Sequence, residues 1–180
     1  MVFEVAKIAR EAKVKLPDLI TRPVGRSVYA RMREKLSLAG AGETIVLDFD
    51  GIKVIDSSFI DEFLVKLIMD AAESDFFIKL RNISAISEIN IDSVFVSYSN
   101  YKNGRIALVR DELGRNSKYY IGPLTEQESD ILGYLKINQH AGIGEISKYC
   151  GLEVEALEGI LAGMSRLRVV RKIGGEFASV

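Results

Sequence analysis

Residues 45–64 read IVLDFDGIKVIDSSFIDEFL, and this stretch decides the fold of the first part of the chain. Its first residues belong to an almost unbroken apolar run, residues 44–49, which is typical of a strand buried on both faces of a parallel sheet. A short acidic loop follows. From Ser58 onward apolar residues recur at helical spacing, which predicts an amphipathic helix. The stretch therefore predicts a strand–loop–helix unit of an α/β domain.

The segments on either side extend this alternation over residues 1–122. Val24, Val28, Met32 and Leu36 recur every four residues and predict a helix that begins near Arg22, with a proline in its first turn. The remaining predicted elements are an opening strand at 3–8, a strand at 76–80, a helix at 84–96 and a hairpin formed by 104–110 and 117–121. The prediction for residues 1–122 is a mixed sheet with helices packed on it.

A second, smaller domain is predicted for residues 123–180, after Gly122 and Pro123. Thr125 and Glu128 have the spacing of a capping box at the start of a helix. Further helices are predicted at 145–150 and 153–167, followed by a hairpin over 169–180 that turns at two glycines. Three helices closed by a hairpin predict a winged helix–turn–helix.

The motif around Ser58 resembles the STAS fold of anti-sigma-factor antagonists, in which an apolar strand leads through a short loop to Asp-Ser-Ser at a helix start. It is more similar still to the STAS-like domain family of unknown function. There a strand ending Asp-Phe-acid-Gly, here from Asp48, precedes a Ser-Phe-x-acid-Glu helix, here 58–62, and an upstream helix enters at an arginine, here Arg22. The resemblance covers roughly residues 15–100.

This resemblance implies a non-enzymatic regulatory or signalling protein whose STAS-like domain binds a protein partner. In the antagonists a partner kinase phosphorylates the second hydroxyl residue of the motif. That residue is Ser58 here, beside Ser57, and Phe59 stands where the antagonists have glycine. The sequence leaves open whether Ser58 is such a switch or only caps the helix, since Ser58 and Asp61 also have capping-box spacing. The residues expected to bind the partner are Asp56, Phe59, Asp61, Glu62, Arg22 and Arg26.

A DNA-binding transcription regulator is the first alternative function. Recognition helices usually present basic or amide side chains to DNA, whereas the helix at 153–167 begins with Glu153, Glu155 and Glu158. Only a cluster near the hairpin offers cations for phosphate contacts. Its members are Arg166, Arg168, Arg171 and Lys172.

An enzyme is the second alternative. The segment 46–51, with Asp48 and Asp50, is similar to the first motif of haloacid-dehalogenase-type phosphatases, which bind Mg²⁺. Ile52 departs from the usual Thr or Val, and no later Gly-Asp-x-x-x-Asp motif follows. His140 and Cys150, the single residues of their kinds, are expected to be structural. We therefore predict no catalytic residue, no metal and no cofactor.

Composition is compatible with this prediction. The chain has 180 residues, 48% hydrophobic and 27% charged, as in ordinary globular proteins. One cysteine and the absence of a membrane-length apolar run lead us to expect a cytoplasmic protein. Residues 7–35 carry nine Lys and Arg against three acids, and residues 43–75 carry nine acids against two lysines. Such a charge distribution favours a charged partner or self-association, for example as a homodimer. The resemblance to the antagonists implies that the protein partner is an ATPase-type or kinase-type regulator.

Overall fold

The computed structural model describes residues 1–102, 104–111 and 119–180. The chain divides into two compact units, Met1–Pro123 and Leu124–Val180. Among the described residues, no helix combines the length and apolar character needed to cross a membrane. Each unit is described by itself below.

Unit 1 alternates short strands and helices. Its strands are β1 (Val2–Glu4), β2 (Asp18–Leu19), β3 (Thr44–Asp48), β4 (Val54–Ile55), β5 (Phe77–Arg81), β6 (Leu108–Arg110) and β7 (Tyr120–Ile121). Its helices are α1 (Val5–Glu11), α2 (Arg22–Leu36), α3 (Ser57–Ile60), a π-helix (Asp61–Val65), α4 (Lys66–Ser74) and α5 (Ala85–Tyr101).

The central sheet of unit 1 has the strand order β1-β3-β5-β6-β7. The first four strands run parallel, and β7 pairs antiparallel with β6. Three successive residues of β3, Ile45, Val46 and Leu47, are buried. Successive strand residues point to opposite faces, so both faces of the sheet are covered here. This mostly parallel α/β architecture confirms the predicted fold class of the first unit.

A second, two-stranded sheet positions the helix starts. β2 pairs parallel with β4, with Leu19 opposite Ile55. The strands lead directly into α2 and α3, so the pairing brings the two helix N-termini side by side. On its other side β4 is bound by α5: Ser87 Oγ accepts from Ile55 N at 3.2 Å, and Asn90 Nδ2 donates to Ile55 O at 2.9 Å.

Unit 2 contains three helices and a three-stranded antiparallel sheet of order β8-β10-β9. The capping box of Thr125 and Glu128 is present and confirms the predicted helix start. Leu132, Leu157 and Met164 are fully buried in this unit. Its elements are α6 (Glu126–Asn138), β8 (His140–Ala141), α7 (Ile143–Cys150), α8 (Val154–Arg166), β9 (Val170–Ile173) and β10 (Glu176–Ser179).

Three sequence predictions for unit 1 need correction. The opening strand stops at Glu4, because the buried Val5, Ala6, Ile8 and Ala9 follow helical spacing and form α1. The helix predicted at 84–96 continues to Tyr101, since no glycine or proline interrupts it. The helix predicted from Ser58 begins one residue earlier, at Ser57. Residues 117 and 118 of the predicted hairpin lie outside the described part of the chain.

Candidate functional site

A polar groove lies at the start of α3, with a cavity volume of about 610 Å³. One wall consists of Arg22 from α2 together with the segment Asp56–Asp61. The opposite wall is formed by α5, from Asn90 to Tyr101, and by Lys102 directly after it. The volume is in the range of small-ligand sites, about 300–1,000 Å³. The groove therefore joins the predicted motif to one face of α5, where the sequence predicts no site residue.

The carboxylate of Asp56 fixes this end of the groove. Its Oδ1 accepts from Phe59 N at 2.7 Å, and Asp56 is therefore the N-cap of α3. It also accepts from Thr21 N, at 3.2 Å to Oδ1 and 3.1 Å to Oδ2. Thr21 has φ +76°, which is rare for a β-branched residue, and these hydrogen bonds help to hold it there. Asp56 therefore ties the loop before α3 to the start of α2. The partner contact predicted at Asp56 stays a prediction.

Because Asp56 caps the helix, the capping-box interpretation of Ser58 is wrong. Ser58 is the second residue of α3, is half-buried and lines the groove, whereas Ser57 is exposed at the same rim. Among the described residues, neither serine hydroxyl forms a hydrogen bond with another residue. Both hydroxyls are thus available to solvent or to a bound molecule.

Glu62 is the centre of a cluster of three cations. Its carboxylate lies 2.5 Å from Lys66 Nζ, 3.1 Å from Arg22 Nη1 and 3.4 Å from Arg26 Nε. The side chain of Glu62 is only 11% exposed. The hydrogen bond from Lys66, then that from Arg22, holds the pKa of Glu62 below its ordinary value despite desolvation. This arrangement corrects the expectation that Glu62 faces a partner, since its carboxylate is already bound on several sides.

Arg22 also donates to Asp61, with Nη1 2.6 Å from Oδ2. This hydrogen bond, followed by the one to Glu62, raises the pKa of the Arg22 guanidinium. The side chains of Arg22 and Asp61 are 49% and 44% exposed, so this ion pair lies at the surface of the groove. Arg22 and Asp61 are therefore the charged residues of the predicted set that remain accessible here, together with Arg26, which is 60% exposed.

The opposite face of the same helical segment is packed closely against α2. A Cβ built on Gly25 would lie 2.8 Å from Glu62 Cβ and 3.2 Å from Phe59 O, so only glycine permits this approach. Phe59 is 0% exposed, and its ring centroid lies 5.1 Å from that of Phe63. The predicted partner contact at Phe59 is therefore corrected: its ring belongs to the core.

None of the residues considered for enzymatic chemistry lines the groove. Asp48 Oδ1 accepts from Asp50 N at 3.0 Å and from Asn82 Nδ2 at 2.8 Å. In the described part of the chain, no group of three or more metal-ligating side chains comes together. Burial raises the pKa of the Cys150 thiol, which lowers its thiolate fraction. His140 lies in β8, with Nδ1 2.7 Å from Glu176 Oε2.

In unit 2, the predicted cations occupy the end of α8 and the start of the hairpin. Arg166 is the last residue of α8, and Lys172 lies in β9 with its Nζ 5.5 Å from the centroid of the Phe177 ring. Arg166 and Lys172 are exposed, whereas Arg168 and Arg171 are half-buried. The acids Glu153, Glu155 and Glu158 are exposed at the start of α8.

Part of unit 1 is similar to a known protein family. Residues 24–89 match the family model of the STAS-like domain of unknown function (DUF4325). The match extends from α2, through the segment with Asp56 and Ser58, into the first residues of α5. Residues 24–89 of unit 1 are therefore similar to a STAS-like domain, and the groove continues beyond the matched residues along α5. No curated protein matches the chain.

Proposed function

We propose that this protein is a non-enzymatic regulator whose STAS-like domain binds a protein partner at the groove, under the control of Ser58. One observation carries the proposal: the Ser58 hydroxyl lines the groove without a hydrogen bond to any of the residues that the structure describes, while Phe59 and Glu62 next to it are buried and bound. A STAS-like domain is consistent with a regulatory protein-interaction module. A free hydroxyl on a rigid support is suited to a reversible charge change.

The proposed switch is phosphorylation by a partner kinase. The γ-phosphoryl group of a nucleoside triphosphate would pass to Ser58 Oγ, so that one O–P bond forms while the bond from the γ-phosphorus to its bridging oxygen breaks. The nucleoside diphosphate leaves, and a base of the kinase takes the hydroxyl proton. The product carries a charge of about −1.5 to −2 at neutral pH beside Asp61. We expect this charge to weaken or to redirect partner binding.

The partner surface is tested by a charge placed on the groove wall. Tyr101 lines the groove and is 82% exposed, and Ile137 in unit 2 is also 82% exposed. In quantitative affinity capture from the native cell extract, Tyr101→Glu should lose one main partner at least about tenfold, equivalent to about 1.4 kcal/mol. Ile137→Glu should retain it. Equal recovery with both variants would refute the groove as the partner site.

A second function is favoured by the cations of unit 2. We propose that its three helices and three-stranded sheet form a winged helix–turn–helix, with phosphate contacts from the cluster at 166–172. The position of all four cations between the end of α8 and β9 supports this. In fluorescence titrations with duplex DNA, alanine at Arg168, Arg171 and Lys172 should abolish binding and its salt dependence. Glutamine at Glu153, Glu155 and Glu158 should strengthen it. Binding that survives the alanine changes would exclude these phosphate contacts.

The phosphatase alternative is the least supported. We propose that Asp48 has a structural role, since its carboxylate oxygen is bound by an amide and by a backbone N–H. With Mg²⁺ and a chromogenic phosphate monoester, wild type and Asp48→Asn should both remain at background. Turnover that disappears in the variant would instead identify Asp48 as a nucleophile.

A further inference from the structure

Arg22 lies within reach of the position that a phosphate on Ser58 would occupy. Both side chains line the same groove. Ser58 and Asp61 are three residues apart on one helical segment, where side chains are neighbours with Cβ atoms about 5–6 Å apart. Arg22 Nη1 is 2.6 Å from Asp61 Oδ2. A guanidinium that contacts Asp61 is therefore adjacent to Ser58 as well.

The guanidinium of Arg22 also has unused donors. Every hydrogen bond and ion pair that Arg22 forms with the described residues uses Nη1. Its Nε and Nη2 donors therefore have no acceptor among those residues. A planar guanidinium offers two parallel N–H groups to a phosphate, an arrangement that a lysine cannot provide. Arg22 can therefore bind a second anion through Nε and Nη2.

The groups that Arg22 would leave do not become isolated. Glu62 keeps Lys66 at 2.5 Å and Arg26 at 3.4 Å, so its shielded carboxylate remains compensated. Asp61 is 44% exposed and can be hydrated instead. Exposed ion pairs contribute little to stability, whereas a dianionic phosphate forms stronger, charge-assisted hydrogen bonds. The exchange of partners is therefore favourable for Arg22.

We propose that Arg22 is the receiver of the Ser58 phosphate. On phosphorylation its guanidinium leaves Asp61 and Glu62 and binds the phosphate oxygens, while Glu62 remains with Lys66 and Arg26. This inference rests on the proposed function and gives the switch its physical output. The close packing of Gly25 on Phe59 and Glu62 keeps α2 and α3 in place. The output is therefore a new charge pattern at the groove, in which the Asp61 carboxylate is uncovered, without a change of fold.

The test uses the full chain with phosphoserine incorporated at position 58 and a pH titration followed by ³¹P NMR. A guanidinium at the phosphate should lower its second pKa by about 1 from the ordinary value of about 6. Arg22→Gln should return this pKa to the ordinary value. Arg26→Gln is the matched control, because Arg26 also contacts Glu62 but does not line the groove, and it should leave the pKa lowered.

Three results would overturn the proposal: an ordinary pKa in the wild type, equal values in wild type and Arg22→Gln, or a lowering removed by Lys102→Gln in place of Arg22→Gln. If Arg22→Gln fails to fold, Arg22→Lys should retain only part of the lowering. Failure of the proposed function gives a different result. In that case the pKa is lowered as expected, but phosphorylated and unmodified protein bind the captured partner equally.

Discussion

The buried side chains of the segment from Ser57 to Val65 and its two serine hydroxyls differ in how completely they are bound. Phe59 is buried, and Glu62 is surrounded by three cations. The hydroxyls of Ser57 and Ser58 meet no partner among the described residues. The segment is thus held in place by its buried side chains, while the serine hydroxyls at the groove do not contribute to this packing. Substitutions at the buried side chains and at the groove should accordingly have different consequences.

The largest loss of stability is expected for a substitution at the buried side chains of this segment. Phe59→Ala removes a ring that is 0% exposed and should lower the free energy of unfolding by about 3–5 kcal/mol. Tyr101→Ala removes an aromatic ring that is 82% exposed, and it should change stability by no more than about 0.5 kcal/mol. Urea titration measures both. Similar losses for the two variants would contradict the contrast between the buried ring and the exposed groove wall.

The close approach of α2 and α3 gives the next effect. Gly25→Ala would place Cβ 2.8 Å from Glu62 Cβ and should destabilise the protein by about 1–3 kcal/mol. Gly40 has no neighbour within 4 Å of such a Cβ and serves as the control. Gly40→Ala should be neutral in the same urea titration. A neutral Gly25→Ala would show that the two helices are not fixed by this contact.

The cap at Asp56 should contribute somewhat less. Asp56→Ala removes the acceptor of the Phe59 and Thr21 N–H groups and should cost about 1–2 kcal/mol. Asp56→Asn keeps a capping oxygen and should cost only part of this. If Ser58→Ala were the more destabilising change in thermal unfolding, the cap would lie at Ser58 after all.

Glu62 gives a prediction about pH. Its pKa is lowered in the folded state from an ordinary value of 4.5, so its charged form stabilises the fold. This stabilisation is complete above about 4.5 and is lost as the pH falls through the lowered pKa. The melting temperatures of wild type and Glu62→Gln should thus differ most near neutral pH and converge in acid. A difference in melting temperature that stays the same from neutral pH into acid would contradict this assignment.

The sequence predicts the strand and helices that form the site better than it predicts the packing of individual side chains. Apolar periodicity was sufficient for β3 and for the helix after Asp56, because burial on one or both faces determines such patterns. Both arginines at the start of α2 were assigned to the site, and Arg22 does line the groove. Phe59 and Glu62, however, were expected at the surface, since the motif alone does not show which face packs on α2.

Other features depend on contacts between distant residues. The cap of α3 is Asp56 and not Ser58, because the pairing of β2 with β4 brings Thr21 beside the Asp56 carboxylate. The groove wall formed by Tyr98 and Tyr101 was missed because the helix was expected to end near residue 96. The π-helix at Asp61–Val65 has no local sequence signal that distinguishes it from α-helix. Such tertiary contacts cannot be deduced from the periodicity of one segment.

We propose that Ser58 controls partner binding without supporting the fold. Its most direct test is a titration of the captured and purified partner with Ser58→Asp, alongside Ser74→Asp as an exposed control at the end of the same helical run. We predict that Ser58→Asp changes the dissociation constant at least about tenfold, a free-energy change of about 1.4 kcal/mol, with an unchanged melting temperature. Ser74→Asp should leave both unchanged. Equal affinity of wild type and Ser58→Asp would contradict the claim.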